Sequence, residues 1–459
     1  MKDKTLKTLT DSSQSIQPAQ TWTPQSWRLK KAWQQPVYDD PRQVESCLDE
    51  LRRKPPLVAQ GEVDRLRSVL ADAVEGKRFV LHGGDCAERF MDCTGPMLTS
   101  KLKILLQMSL VLTYATRKSV IRIGRLAGQY AKPRSNDYEE LENRRLPVYR
   151  GDLINDASLD EKARRPDPNR MIDGYHHAAA GLNFIRALIE GGFADLHHPE
   201  LWNLAFLDSS PHRQAYRKII DAINDSIAFM ETISRSDESL RRVEFYTSHE
   251  ALLLPFEESL TRCDSNDDFY NLSAHFLWLG YRTAQLDGAH VEYLRGIRNP
   301  IGVKIGPLMP YEHILELIEI LDPHKQPGRL ALITRIGAAQ VESYLPKLVD
   351  GVQKTGRPVL WGCDPMHGNT EITRDGRKTR RMESIFSELE QTFAIHEKKG
   401  TCLSGIHFEL TSDAVTECIG GSSGVTEDDL SLCYETACDP RLNGAQALEL
   451  AFLITRLLR

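Results

Sequence analysis

The chain has 459 residues, 41% of them hydrophobic, and its 58 lysines and arginines against 64 aspartates and glutamates leave a formal net charge of −6. That is an ordinary globular composition, and scattered Arg pairs such as Arg144 and Arg145 are no clustered basic face, which excludes a nucleic-acid footprint. No apolar run approaches the ~20 residues of a membrane span; the polar start, Met1 to Gln20, has no signal-peptide core, and nine cysteines without a CxxC pair fit a reducing cytoplasm.

Residues 1–60 read as an N-terminal arm punctuated by Pro and Gln, with Trp22 and Trp27 expected to pack on another surface. Residues 61–459 read as the catalytic domain. From Glu62, the positions Val63, Leu66, Val69, Leu70 and Ala73 recur at helical spacing, and Phe79, Val80 and Leu81 then form a short apolar run ending in Gly83 and Gly84. Further strand-length runs follow at Val120–Ile123, Val243–Tyr246, Phe276–Leu279, Ile301–Ile305, Leu330–Thr334, Val359–Trp361 and Ile406–Leu410, with helical patterns between most of them. Eight runs that are apolar on both faces predict an α/β protein with a closed (β/α)8 barrel. An open doubly wound sheet is the competing architecture, but neither a GxGxxG after the first strand nor a P-loop is present to favour it. The interval from about 151 to 241 is too long for one crossover, and its helical stretches Tyr175–Ile189 and Ala215–Ile233 read as an inserted helical subdomain. The adjacent pairs His176–His177 and His197–His198 are poor ligand pairs, because neighbours at i and i+1 face different ways on a helix.

In such a barrel the chemistry sits at the C-terminal ends of the strands. Cys86 follows the first run, and Arg125 ends the second and leads to Arg134 and Ser135. Arg282, Lys304 and Arg335 lie at the fourth, fifth and sixth; His367, Glu409 and Asp439 come at and after the last two. One thiolate, one imidazole and two carboxylates suit a borderline divalent cation such as Mn, Fe, Co or Zn better than Ca or Mg. Taken singly, a cysteine is as readily a small core residue and a histidine a core hydrogen-bonding group. Guanidinium groups gathered in a concave site recognise phosphate or carboxylate through paired hydrogen bonds; dispersed on the surface, the same residues would form ordinary ion pairs.

The segments GGDCAE, GRLAGQYAKPRS, SHEALLLPFE, RNPIGVKIGP, DPMHGNT, KTR, VTECIGG and CDPRLN, in this order, resemble the type II 3-deoxy-D-arabino-heptulosonate 7-phosphate (DAHP) synthases. The resemblance runs from about Trp22 to the C-terminus. It implies a barrel enzyme that condenses phosphoenolpyruvate with erythrose 4-phosphate at the entry to the shikimate pathway, with a divalent metal, Mn2+ or Co2+ first and Zn2+ or Fe2+ next. It places the metal on Cys86, His367, Glu409 and Asp439, phosphoenolpyruvate on Arg125, Tyr281, Arg282, Lys304 and Arg335, and the sugar phosphate on Arg134 and Ser135. Lys304, Arg125 and His367 are the implied catalytic residues, Lys304 as a proton donor whose pKa burial and cationic neighbours lower. A homodimer or homotetramer and a chorismate mutase partner are further implications.

One position departs from the family. Where the family reads WxGERTRQ, this chain has Trp278-Leu279-Gly280-Tyr281-Arg282-Thr283-Ala284-Gln285, so Tyr281 replaces a glutamate and Ala284 an arginine. Phenols ionise near pH ~10, so a tyrosine cannot act as a carboxylate base at neutral pH. Retained synthase chemistry, a different aldose phosphate acceptor, and a silent paralogue partnering an active synthase are the readings this leaves. Cys438 precedes Asp439, and oxidation linking it to Cys86 would displace the metal.

Overall fold

A computed structural model describes residues 22–141, 144–193, 211–233 and 243–458. Residues 1–21 of the arm, 194–210 and 234–241 of the 151–241 interval, and with them the His197–His198 pair, lie outside the described residues.

Eight parallel strands close into a barrel: β1 Arg78–Gly84, β2 Ser119–Arg125, β3 Phe245–Glu250, β4 Phe276–Leu279, β5 Ile301–Ile305, β6 Leu330–Thr334, β7 Leu360–Cys363 and β8 Leu403–Glu409. Each pairs with its sequence neighbour and β8 returns to β1, with Val80 opposite Gly405 and Gly84 opposite Glu409. The architecture is the (β/α)8 barrel that the run spacing predicts. Two strands sit differently from expectation. The third runs to Glu250 instead of ending at Tyr246, and the eighth begins at Leu403 instead of Ile406.

Side chains alternate across each strand. Phe79, Leu81, Ile301, Val303, Leu330, Leu332, Ile406 and Phe408 point outward into the large cluster shared with the surrounding helices. Val80, Ile121, Ile123, Tyr246, Phe276, Trp278, Ala331, Ile333 and Leu360 point inward. Helix α2 (Gln60–Val74) contributes Leu66, Val69, Leu70 and Ala73 to that inner cluster, closing the N-terminal floor of the barrel. Counting upward by twos from these inward residues, and from Gly302 on β5 and Gly405 on β8, gives Gly84, Arg125, Glu250, Gly280, Lys304, Arg335, Asp364 and Glu409 at the opposite rim.

The segment before α2 includes helix α1 (Pro41–Arg53), whose N1 proline follows an Asp40 cap. Trp22 stands edge-on to Phe269 at 5.2 Å between ring centroids, and Trp27 is buried with its indole N–H donating to Glu258 Oε2 at 2.9 Å. Between β2 and β3 the chain forms a small hairpin (Tyr138–Leu141 with Arg144–Pro147) and the helices Asn169–Glu190 and Arg213–Ile233. No helix among the described residues is long and apolar enough to cross a membrane.

Candidate active site at the barrel mouth

A cavity of about 220 Å³ opens at this rim, lined by Arg125, Lys132, Arg282, Lys304, Arg335 and Lys378 as cations and by Glu250 and Asp439 as carboxylates. Tyr281, Trp278, Gln129 and His367 complete much of the wall. Strand alternation delivers Arg125, Glu250, Trp278 and Lys304, and one residue past β6 Arg335; the loops deliver the others.

Below one side of the cavity, donor atoms of Cys86, Glu409 and Asp439 all lie within 4.8 Å of one another. His367, the fourth expected ligand, lies at the edge of this set: its Nε2 is 3.1 Å from Glu409 Oε1, while its Nδ1 bonds Asp364 Oδ2 at 2.7 Å. That second contact is the orienting carboxylate that a metal-binding histidine usually has. Cys86 reaches the site because β1 ends at Gly84, where φ is +145° and a Cβ would come within 2.7 Å of Arg125 O. Asp439 is brought in by a buried network: Arg441 donates to Asp85 (2.8 Å) and to Glu417 (2.7 Å), and Lys101 pairs with Asp85, tying the CDPRLN loop to GGDCAE.

The sequence reading passed over several residues in this cluster. Lys132 Nζ donates to Cys86 Sγ at 2.7 Å and lies 3.2 Å from Glu409 Oε1 and 3.0 Å from Asp439 Oδ2. Lys378 pairs with Asp439 at 2.8 Å, and the fully buried Arg380 with Glu409 at 2.8 Å. Glu88 holds the loop that carries Lys132, accepting from the backbone N–H groups of Ala127 and Gly128 at 3.0 Å and Gln129 at 2.9 Å.

These charges set each other. Burial opposes ionisation of Glu409, yet His367, Lys132 and Arg380 together hold it well below the usual carboxylate range. Asp439 is likewise low: its burial and the charge of Glu409 are overcome by Lys132, Lys378 and His367 together. Burial, the hydrogen bond with Cys438 and the charge of Glu409 push the Cys86 thiol up, while the Lys132 ammonium against its sulfur works the other way. A cysteine sulfur and two carboxylates around an ammonium, with the His367 imidazole beside Glu409, fit a divalent cation, which would favour the Cys86 thiolate on binding.

The anion-binding residues are spread over the other wall. Arg125 donates through Nη2 to Cys86 O at 2.7 Å and lies 3.2 Å from Glu409. Lys304 pairs with Asp364 and is lowered to about 8 by burial and by Arg125, against the raising effect of Asp364. Arg335 donates to His367 O at 3.2 Å, and its guanidinium carbon is 5.5 Å from the centre of the Tyr281 ring. Arg282 Nη2 donates to Ser135 Oγ at 2.8 Å. Arg134 stands apart from the cavity wall, pairing with Glu139 (3.0 Å) and donating to Cys438 Sγ (3.3 Å). The Nε of Arg125, the Nε of Arg335 and Oε1 of Glu250 are buried without a partner. Glu250 fits because Gly280 has no Cβ, which would collide with that oxygen; burial raises its pKa against the nearby cations Lys132 and Arg282.

The sequence profile of the Class-II DAHP synthetase family matches residues 22–455. The chain is 48% identical to phospho-2-dehydro-3-deoxyheptonate aldolase of Neurospora crassa, covering 96% of this chain and 95% of that protein. It is 46% identical to the protein of that name in Streptomyces coelicolor (95% and 97% covered) and 44% identical to the one in Mycolicibacterium smegmatis (94% and 93%). A solved phospho-2-dehydro-3-deoxyheptonate aldolase from Francisella tularensis aligns over 90% of this chain and 96% of its own at 13% identity, with a TM-score of 0.47. With the barrel, the rim and the near full-length matches together, the chain belongs to the Class-II DAHP synthetase family.

Proposed function

We propose that this protein joins phosphoenolpyruvate, erythrose 4-phosphate and water into DAHP and inorganic phosphate, the first step of aromatic biosynthesis. The observation that carries the proposal is the juxtaposition, in one barrel mouth, of a Cys/Glu/Asp donor set with six cationic side chains around a cavity of about 220 Å³. Two phosphates and a carboxylate repel each other, and preorganised cations offset that repulsion. Arg125, Lys304 and Arg335 hold phosphoenolpyruvate; Arg282 and Ser135, with Arg134 beside them, hold the phosphate of the sugar. A divalent metal, Mn2+ or Co2+ first and Zn2+ or Fe2+ next, is held by Cys86, His367, Glu409 and Asp439 and supplies Lewis-acid polarisation of the aldehyde.

Carbon 3 of phosphoenolpyruvate attacks the aldehyde carbon, and Lys304 gives a proton to the aldehyde oxygen as it becomes a hydroxyl. Water then adds at carbon 2 and phosphate leaves. Because Tyr281 cannot take that water's proton, the role falls to Glu250, a carboxylate in the wall of the same cavity whose buried Oε1 has no hydrogen-bond partner. Assembly as a homodimer or homotetramer, a chorismate mutase partner and a cytoplasmic location are part of the proposal; nine free thiols are in keeping with the last. The test is phosphate release from phosphoenolpyruvate with erythrose 4-phosphate and Mn2+ or Co2+. Turnover is expected; absence of turnover with every aldose phosphate, despite bound metal, overturns it.

A further inference from the structure

A barrel interior is usually filled by layers of branched apolar side chains. Here one layer is polar. His82 on β1 and His407 on β8 are register partners, and Ser248 on β3 completes the row. Arg125 Nη1 meets His407 Nε2 at 2.9 Å, His407 Nδ1 meets His82 Nδ1 at 2.9 Å, and His82 Nε2 meets Ser248 Oγ at 2.7 Å. Ser248 Oγ then donates to the carbonyl of Gly124 at 3.1 Å. All three side chains are almost fully buried, with Phe276 and Trp278 edge-on to the ring of His82, each 5.5 Å away.

The hydrogens of this chain have one arrangement. A guanidinium has only donors, so His407 Nε2 accepts and its hydrogen is on Nδ1. His82 Nδ1 must then accept and carry its hydrogen on Nε2, which donates to Ser248; the Gly124 carbonyl at the far end accepts only. An arginine takes no proton, so the row conducts none. What it does is electrostatic: the acceptor end of every dipole faces Arg125, so the row holds the buried guanidinium without adding a second negative charge to that of Glu409, 3.2 Å from Nη2. A carboxylate in the place of His407 would fix the side chain as well but would compete with an anionic ligand.

We infer that His407, locked as its Nδ1–H tautomer by His82 and Ser248, is a positioning residue that aims Arg125 at phosphoenolpyruvate. The inference rests on the assignment of Arg125 to that substrate. Neither histidine lines the cavity at the mouth, so the effect must pass through Arg125.

Two measurements decide it. In the whole enzyme with 15N-labelled histidine, NMR should find His407 protonated on Nδ1 and His82 on Nε2; either ring in the opposite tautomer overturns the inference, whatever the variants do. In kinetics, His82→Leu removes the acceptor that fixes His407, and KM for phosphoenolpyruvate should rise about tenfold, the scale of one weakened hydrogen bond to a charged group. The kcat should change less than about twofold, and KM for erythrose 4-phosphate and the metal content should be unchanged. His82→Asn, which can place an oxygen where Nδ1 accepts, should restore most of the loss, and Ser248→Ala should show a smaller rise of the same kind. If Arg125→Ala leaves KM for phosphoenolpyruvate unchanged, the assignment of Arg125 fails; if it raises KM while His82→Leu and Ser248→Ala do not, the positioning row fails.

Discussion

Tyr281 stands where the rest of the family resemblance places a carboxylate, and its surroundings specify what replacing it should do. The ring packs over Gly306, where an added Cβ would come within 3.0 Å of a ring carbon, and the guanidinium of Arg335 lies 5.5 Å from the ring centre. Among the described residues the Arg335 guanidinium is otherwise held only by the His367 carbonyl at 3.2 Å, and its Nε is buried without a partner there. A desolvated cation over an aromatic face gains about 1–2 kcal/mol, and 1.4 kcal/mol is a factor of ten. Tyr281→Leu should therefore raise KM for phosphoenolpyruvate by roughly 5- to 30-fold, with kcat nearly unchanged. Tyr281→Phe keeps the face and should behave like the wild type. Tyr281→Glu should raise KM further, because the new carboxylate would neutralise Arg335. Steady-state phosphate release with each substrate varied in turn separates these outcomes. If Tyr281→Phe loses as much as Tyr281→Leu, the hydroxyl has a chemical role; if Tyr281→Glu raises kcat, that position still calls for a base and the role given to Glu250 is wrong.

The lowered pKa of Lys304 gives a pH signature: its ammonium is lost as pH rises through about 8, so kcat should fall above that point, and Lys304→Arg should remove the alkaline limb at a lower rate. Hydrogen bonding between the Cys86 and Cys438 thiols puts them within reach of each other, so mild oxidation should abolish activity together with metal binding and reductant should restore both; intact metal content after oxidation would refute this. Lys132 is the ammonium nearest the donor set, so Lys132→Met should destabilise the metal-free protein by about 3 kcal/mol, the cost of breaking a buried ion pair. Added Mn2+ should recover much of the lost Tm in thermal unfolding, and an unchanged Tm without metal would contradict the pairing.

The fold was legible because outward-facing residues on barrel strands are apolar in runs, and those runs survive without knowledge of the interior. The third strand was misplaced for the same reason: its inward residues are Tyr246, Ser248 and Glu250, two of them polar, so the apolar run stops four residues before the strand does. That error also concealed Glu250, which the period-two count from a correctly placed strand puts at the rim. Lys132 heads the KPRS segment, but its contacts link β1, β8 and the CDPRLN loop, which no local pattern announces.

The partners of the cations divide them into two groups. Arg380, Arg441 and Lys101, behind the donor set, are each matched to carboxylates, Glu409, Glu417 and Asp85, and their charge is already satisfied within the fold. Arg282 and Arg335 have no carboxylate partner among the described residues; a hydroxyl, a carbonyl and an aromatic face hold them. Arg125 is intermediate: an imidazole and a carbonyl hold it, and it also pairs with Glu409, which is shared with Arg380 and Lys132. Neutral partners fix a guanidinium while leaving its charge available, and such an arrangement is worth its desolvation cost only where an anion arrives to complete it. By this criterion Arg134, paired with Glu139, resembles the first group. The weight of recognising the sugar phosphate then falls on Arg282 and Ser135, and Arg282→Ala should cost more in KM for erythrose 4-phosphate than Arg134→Ala.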